Sequence, residues 1–126
     1  MQAKFRHGNP LMVDFTPSGS PVSSVSAGDV VVIGDVPMVA HSDIAEDAVG
    51  ALAAFGGVYE MDSEDTDLTQ GESVYWDASN EVVSDNETGS GYTLPHFGFV
   101  APNHWGPGSG SGKVNVIHLP NGTATT

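Results

Sequence analysis

The chain contains no cysteine. Disulfides and thiolate metal sites are therefore excluded, although the redox compartment cannot be read from that absence. Basic residues are almost as scarce. Lys4, Arg6 and Lys113 face sixteen acids, for a formal net charge of −13, and two of the three bases fall in the first six residues. Such a chain repels phosphate backbones and anionic lipid headgroups, which argues against nucleic acid and membrane surfaces as partners. The charge alone is equally consistent with a solubility device or a saline environment. No apolar run approaches the length of a bilayer span. No apolar segment follows Lys4 and Arg6, so a signal peptide is not expected. The sequons at Asn86 and Asn121 then carry little meaning.

What is present is turn chemistry. Sixteen glycines and eight prolines punctuate 126 residues, one domain's worth. The stretch Ala27-Gly28-Asp29-Val30-Val31-Val32-Ile33-Gly34-Asp35 shows the plan. Four β-branched residues predict a short buried strand, and a Gly-Asp pair supplies a turn at each end. A variant returns at Gly71-Glu72-Ser73-Val74-Tyr75-Trp76-Asp77, 43 positions on. The echo suggests a pseudo-repeat of residues 25–61 and 68–119. The alternative is that short hairpins simply share turn chemistry.

Further strands are expected at 11–15, 36–41, 51–55, 58–61, 81–84, 94–101 and 113–119. Pro37 marks an edge or a strand start. Phe97 and Phe99 should share a face by simple alternation. One helical turn is expected near residues 43–47, from a cap at Ser42 or Asp43. The sum is an all-β domain, a small β-barrel or β-clip-like fold with at most one helical turn. Residues 1–24 read as an extended N-terminal arm and loop, 25–120 as the β-barrel domain, and 121–126 as a flexible tail.

Catalytic chemistry finds no anchor. The acids of the 62–67 loop could supply oxygens to calcium, but Asp67 stands where an EF-hand needs glycine. His7, His41, His96, His104 and His118 form no metal-ligand spacing. The Gly108–Gly112 run lacks a nucleophile elbow, since Gly110 holds the serine position. No catalytic residue, metal or cofactor is assigned. A carbohydrate- or calcium-binding acidic β-domain is the alternative, with His104, Trp105 and the 62–67 acids as its candidates. Tyr75, Trp76 and Trp105 stand outside the evident core alternation. Tyr75 and Trp76 are adjacent and face opposite sides of their strand. One should enter the core and the other a surface or subunit interface, unless both faces are covered within one subunit.

The ordered series Lys4-Phe5-Arg6-His7-Gly8-Asn9, Val13–Thr16, Ala27–Gly34, Gly57–Met61, Gly71–Asp77, Gly98–Ala101 and Val114–Val116 resembles the small capsid decoration (cement) proteins of tailed bacteriophages. That family was long catalogued as a domain of unknown function. The resemblance covers most of residues 4–119. It implies a non-enzymatic structural protein on the outer surface of the capsid, a homotrimer at three-fold positions that binds the major capsid protein and stabilises the shell. The 102–112 connection and the strong acidity depart from the usual pattern. In that role the arm residues Lys4, Phe5, Arg6 and His7 are the expected capsid contacts, becoming ordered on an acidic shell surface. Tyr75, Trp76 and Trp105 are the expected subunit interface.

Overall fold

A computed structural model describes residues 2–19, 22–63, 68–89, 92–102 and 112–120. The fold is all-β, with ten strands in two antiparallel sheets and a separate two-stranded ribbon. The strands are β1 (Ala3–His7), β2 (Leu11–Phe15), β3 (Val30–Ile33), β4 (Val36–Ala40), β5 (Gly50–Phe55), β6 (Val58–Asp62), β7 (Ser73–Asp77), β8 (Val82–Ser84), β9 (Thr88–Gly89), β10 (Tyr92–Thr93), β11 (His96–Val100) and β12 (Lys113–His118). One sheet runs β1-β6-β12-β11-β7-β8 and the other β2-β5-β4-β3. Neither sheet closes on itself, since β8 meets the end of β6 only through the single Ser63–Val83 bridge, so the described strands form a clip or sandwich, and no closed barrel.

The main core lies between the sheets. Tyr59, Val74, Trp76, Phe97, Val114 and Val116 from the larger sheet meet Val39 and Ala53 from the smaller one. A second cluster covers the opposite face of the smaller sheet, where Val31, Ala40 and Leu52 pack beneath Val25 and Ile44 from the flanking loops. The middle of the smaller sheet, along β4 and β5, is thus buried on both faces, which explains its apolar runs there.

Two sheet-crossing connections, β1 to β2 and β5 to β6, tie the sheets together. β1 pairs with β6 in the larger sheet, and β2 pairs with β5 in the smaller. Their connections, 8–10 and 56–57, cross in close contact. A side chain on Gly8 would reach Gly57 Cα at 2.7 Å, and both glycines hold positive φ, 115° and 88°. Only two glycines allow that approach.

The Gly-acid echo is one turn used twice. Asp29 N–H donates to Ser26 O, and Asp29 Oδ2 accepts from Ser26 N–H at 2.9 Å. Glu72 N–H donates to Thr69 O, and Glu72 Oε1 accepts from Thr69 N–H at 3.0 Å. In each, the glycine takes positive φ, 90° at Gly28 and 83° at Gly71. In each, glycine and acid together oppose a single residue, Ala40 in the first case and Val100 in the second. That is a β-bulge launched from a turn. The partners differ. The first bulge faces β4, the next strand in sequence, and the second faces β11.

Five expectations are corrected. The run Val30–Ile33 is not a fully buried strand: β3 is an edge, with Val32 and Ile33 exposed at 38% and 37%. A β-branched run looks the same at an edge as inside. No helical turn forms at 43–47. Ile44 bridges to Val25 instead, and the chain reverses over Ala45–Ala48 with Asp47 at φ 67°. Residues 85–91, expected as plain loop, include β9. Phe97 and Phe99 do not share a face, because the register slips between His96 and Gly98. Phe97 enters the core and Phe99 points outward against His96. Finally, the N-terminal segment is extended as expected, but it is an edge strand of the domain. Ala3 is 2% exposed and belongs to the main core.

Candidate interaction surface

Charge is segregated by element. Residues 11–55, which build the smaller sheet and its loops, hold Asp14, Asp29, Asp35, Asp43, Glu46 and Asp47 and no Lys or Arg. Residues 1–13, 48–59 and 88–126 contain no acid at all. All three Lys/Arg residues sit on the larger sheet, Lys4 and Arg6 on β1 and Lys113 on β12.

The acid-free stretches converge where the two connections cross. Leu11 stands opposite Phe55 in the β2–β5 ladder. His118 O accepts from Gly56 N–H and His118 N–H donates to Gly57 O, which brings Leu119 to the same turn. The Phe5 ring lies against Gly57. Phe5, Leu11, Phe55 and Leu119 are 40–50% exposed there. An exposed apolar group of this kind in a strongly charged molecule marks an interaction site. Among the described residues, Lys113 ion-pairs with Asp62. That contact raises the lysine's pKa. Among the described residues neither Lys4 nor Arg6 has such a partner. Lys4 faces Glu60 across the ladder without closing an ion pair.

Behind Phe5 lies an aromatic cluster. Its ring packs on His41 and Tyr59, and Tyr59 packs in turn on Phe97 and His118. His41 Nε2 and the Tyr59 hydroxyl are hydrogen bonded at 2.6 Å. Burial raises the Tyr59 pKa and lowers that of His41. His118 is fully buried, and its Nε2–H donates to Pro37 O at 2.6 Å. Burial pushes its pKa down to about 4, with the neighbouring His41 adding to the effect. These histidines converge, but they serve packing and hydrogen bonding. Among the described residues no three His, Asp or Glu side chains are placed to hold a metal ion.

A second apolar row crosses the outer face of the larger sheet. Val58, Ile117 and Phe99 are register partners on β6, β12 and β11. The rings of Phe99, His96 and Tyr75 continue it at centroid separations of 5.1 and 5.3 Å. Burial lowers the His96 pKa as well.

The residues singled out from sequence separate accordingly. Lys4, Phe5, Arg6 and His7 all lie on β1; Phe5 to His7 run into the acid-free end, whereas Lys4 stands opposite Glu60. Tyr75 lies half-buried in the outer row. Trp76, expected with it at an interface, is 2% exposed within the subunit's own core. Trp105 and His104 lie outside the described residues, as do residues 64–67 of the acidic loop and the tail 121–126. Leu11, Phe55, Phe99 and Leu119 were not singled out. All four fall in acid-free stretches of a strongly acidic chain, and that was the unused signal.

A small β scaffold with four exposed apolar side chains, Phe5, Leu11, Phe55 and Leu119, grouped at one end near Arg6 presents a surface suited to another protein. The comparison with known families specifies which kind. Residues 7–114 match the phage cement proteins, and the chain belongs to that family. The family is structural and places the chain with the capsid of a phage virion. No curated protein and no solved structure matches the chain.

Proposed function

We propose that this protein decorates the outer surface of the phage head, docking on the major capsid protein through its acid-free end. The carrying observation is the coincidence of Phe5, Leu11, Phe55 and Leu119 with the unpaired cations Lys4 and Arg6 in a chain of net charge −13. Burying the four side chains supplies area-proportional affinity. The two cations steer the end toward acidic shell groups. His7 borders the same end. The anionic smaller sheet then faces solvent and repels neighbouring virions.

Self-association completes the reading. An anionic chain can trimerise only through a surface poor in acid. The Val58–Ile117–Phe99–Tyr75 row carries none, and it is the proposed homotrimer contact at three-fold positions. Trp76 has no part in it.

Removing residues 1–10 would be a poor test, because β1 and buried Ala3 would go with them. The informative variant is Lys4→Glu/Arg6→Glu, which inverts charge at one exposed and one half-buried position. Purified protein is mixed with undecorated heads and sedimented. Wild-type protein pellets with the heads, and the double variant stays in the supernatant at the same salt. Equal pelleting of both would overturn the docking surface. Tyr75→Glu should reduce the trimer to monomer in sedimentation velocity, and a variant that stays trimeric removes the row from the interface.

A further inference from the structure

The smaller sheet offers a second contact of a different kind. The bulge at Gly28–Asp29 sets the alternation along β3. Asp29 O accepts from Ala40 N–H, so Val31 and Ile33 bond to β4 and Val30 and Val32 turn their backbone groups outward. Pro37, opposite Val32 and without an N–H, agrees with that alternation. The outward N–H of Val30 is met by Gln2 Oε1 at 2.7 Å, a side-chain carbonyl standing where a neighbouring strand's would. Among the described residues nothing stands at Val32. Beyond the bulge at its start and the Gln2 contact, β3 carries neither charge nor proline among its four residues, two common devices that blunt an edge. A cleft of about 420 Å³ runs alongside, lined by Gln2, Ser23, Ser24, Val25, Val30 and Val32.

We propose that the β3 edge is a strand-accepting site for an extended, cation-bearing segment of another protein. The fit is that of β-strand addition, in which main-chain bonds give affinity and alternate side chains give specificity. Charge selects the occupant. Asp29 lines the cleft and Asp35 follows the strand. The whole of residues 11–55 is anionic. A second copy is the wrong occupant, since it brings a net charge of −13 and its cation-bearing β1 is already paired with β6. β3 spans about 13 Å at roughly 3.3 Å per residue, so cations four residues apart reach both acids. The inference stands apart from the docking end, and a failure of either leaves the other intact.

The test is a titration of the isotope-labelled full chain with capped Lys-Val-Thr-Val-Lys, followed by amide chemical shifts. Saturable shifts are expected at Gln2, Ser23–Val25 and Val30–Ile33, with the Glu-Val-Thr-Val-Glu peptide at least about tenfold weaker. Val32→Pro removes the outward N–H without touching the β3–β4 ladder, and Ser24→Trp fills the cleft. Each should weaken the lysine peptide at least about tenfold. If Val32→Pro loses its fold, Ser24→Trp decides. Undisturbed β3 amides, equal binding of the glutamate peptide, or wild-type affinity in Ser24→Trp would each overturn the proposal.

Discussion

His118 should make the fold sensitive to acid in a way that one substitution removes. Its ring is fully buried among Tyr59 and Phe97, with Nε2–H on Pro37 O and no partner at Nδ1. Protonation would place a charge at Nδ1 against aromatic rings, so the pKa falls from 6.5 to about 4. The sign follows from the direction. Above pH 6.5 both the folded and unfolded states hold the ring neutral, and its contribution is complete. Below that the unfolded chain takes a proton that the folded chain refuses. Stability then falls by up to about 1.4 kcal/mol per pH unit until the folded pKa is reached, about 3 kcal/mol in all. His118→Gln keeps an N–H for Pro37 O and cannot titrate in this range. Urea denaturation of both proteins between about pH 7.5 and about pH 4.5 isolates the effect, since the remaining titrating groups are common to both. The wild type should lose about 3 kcal/mol more than the variant over that range. Parallel curves would refute the account of His118 as a buried neutral ring.

Three substitutions test the framework. Gly98→Ala puts a Cβ 1.8 Å from Ile117 O on the neighbouring strand, so β11 and β12 must part. It should cost more than about 4 kcal/mol and leave the protein unfolded by circular dichroism. Gly71→Ala meets no atom within 4 Å and strains only the backbone at φ 83°, for about 1–2 kcal/mol in a urea melt. Asp77, 2% exposed, accepts from Ser79 N–H at 3.1 Å, Asn80 N–H at 3.4 Å and Asn80 Nδ2 at 3.0 Å. Asp77→Ala orphans those donors and should cost about 1–3 kcal/mol, with Asp77→Asn recovering part of it.

Legibility in the sequence followed how local each determinant was. β2, β4–β8 and β12 were visible as alternating or β-branched runs between turn residues. The Gly28-Asp29 and Gly71-Glu72 pairs were visible because each turn is completed within four residues. The edge position of β3 was not, since nothing in Val30–Ile33 says whether a fifth strand follows β2-β5-β4-β3. The slip at His96–Gly98 was hidden as well. Alternation from Phe97 to Phe99 looks regular until the partner strand β7 is in place. β1 was concealed by composition, because Lys4 and Arg6 look like an arm while only Ala3 is buried. Of the candidate surface, Lys4–His7 could be named from charge. The convergence of Leu11, Phe55 and Leu119 on Phe5 needed the crossing of the two connections between the sheets, and that crossing is a tertiary contact between Gly8 and Gly57.

A reconstruction of heads decorated with the purified protein tests the central claim most directly. The account places β1, the 56–57 turn and Leu119 against the shell, with the anionic smaller sheet and its Asp43–Asp47 turn facing outward. Density showing the smaller sheet against the shell and β1 exposed to solvent would contradict it.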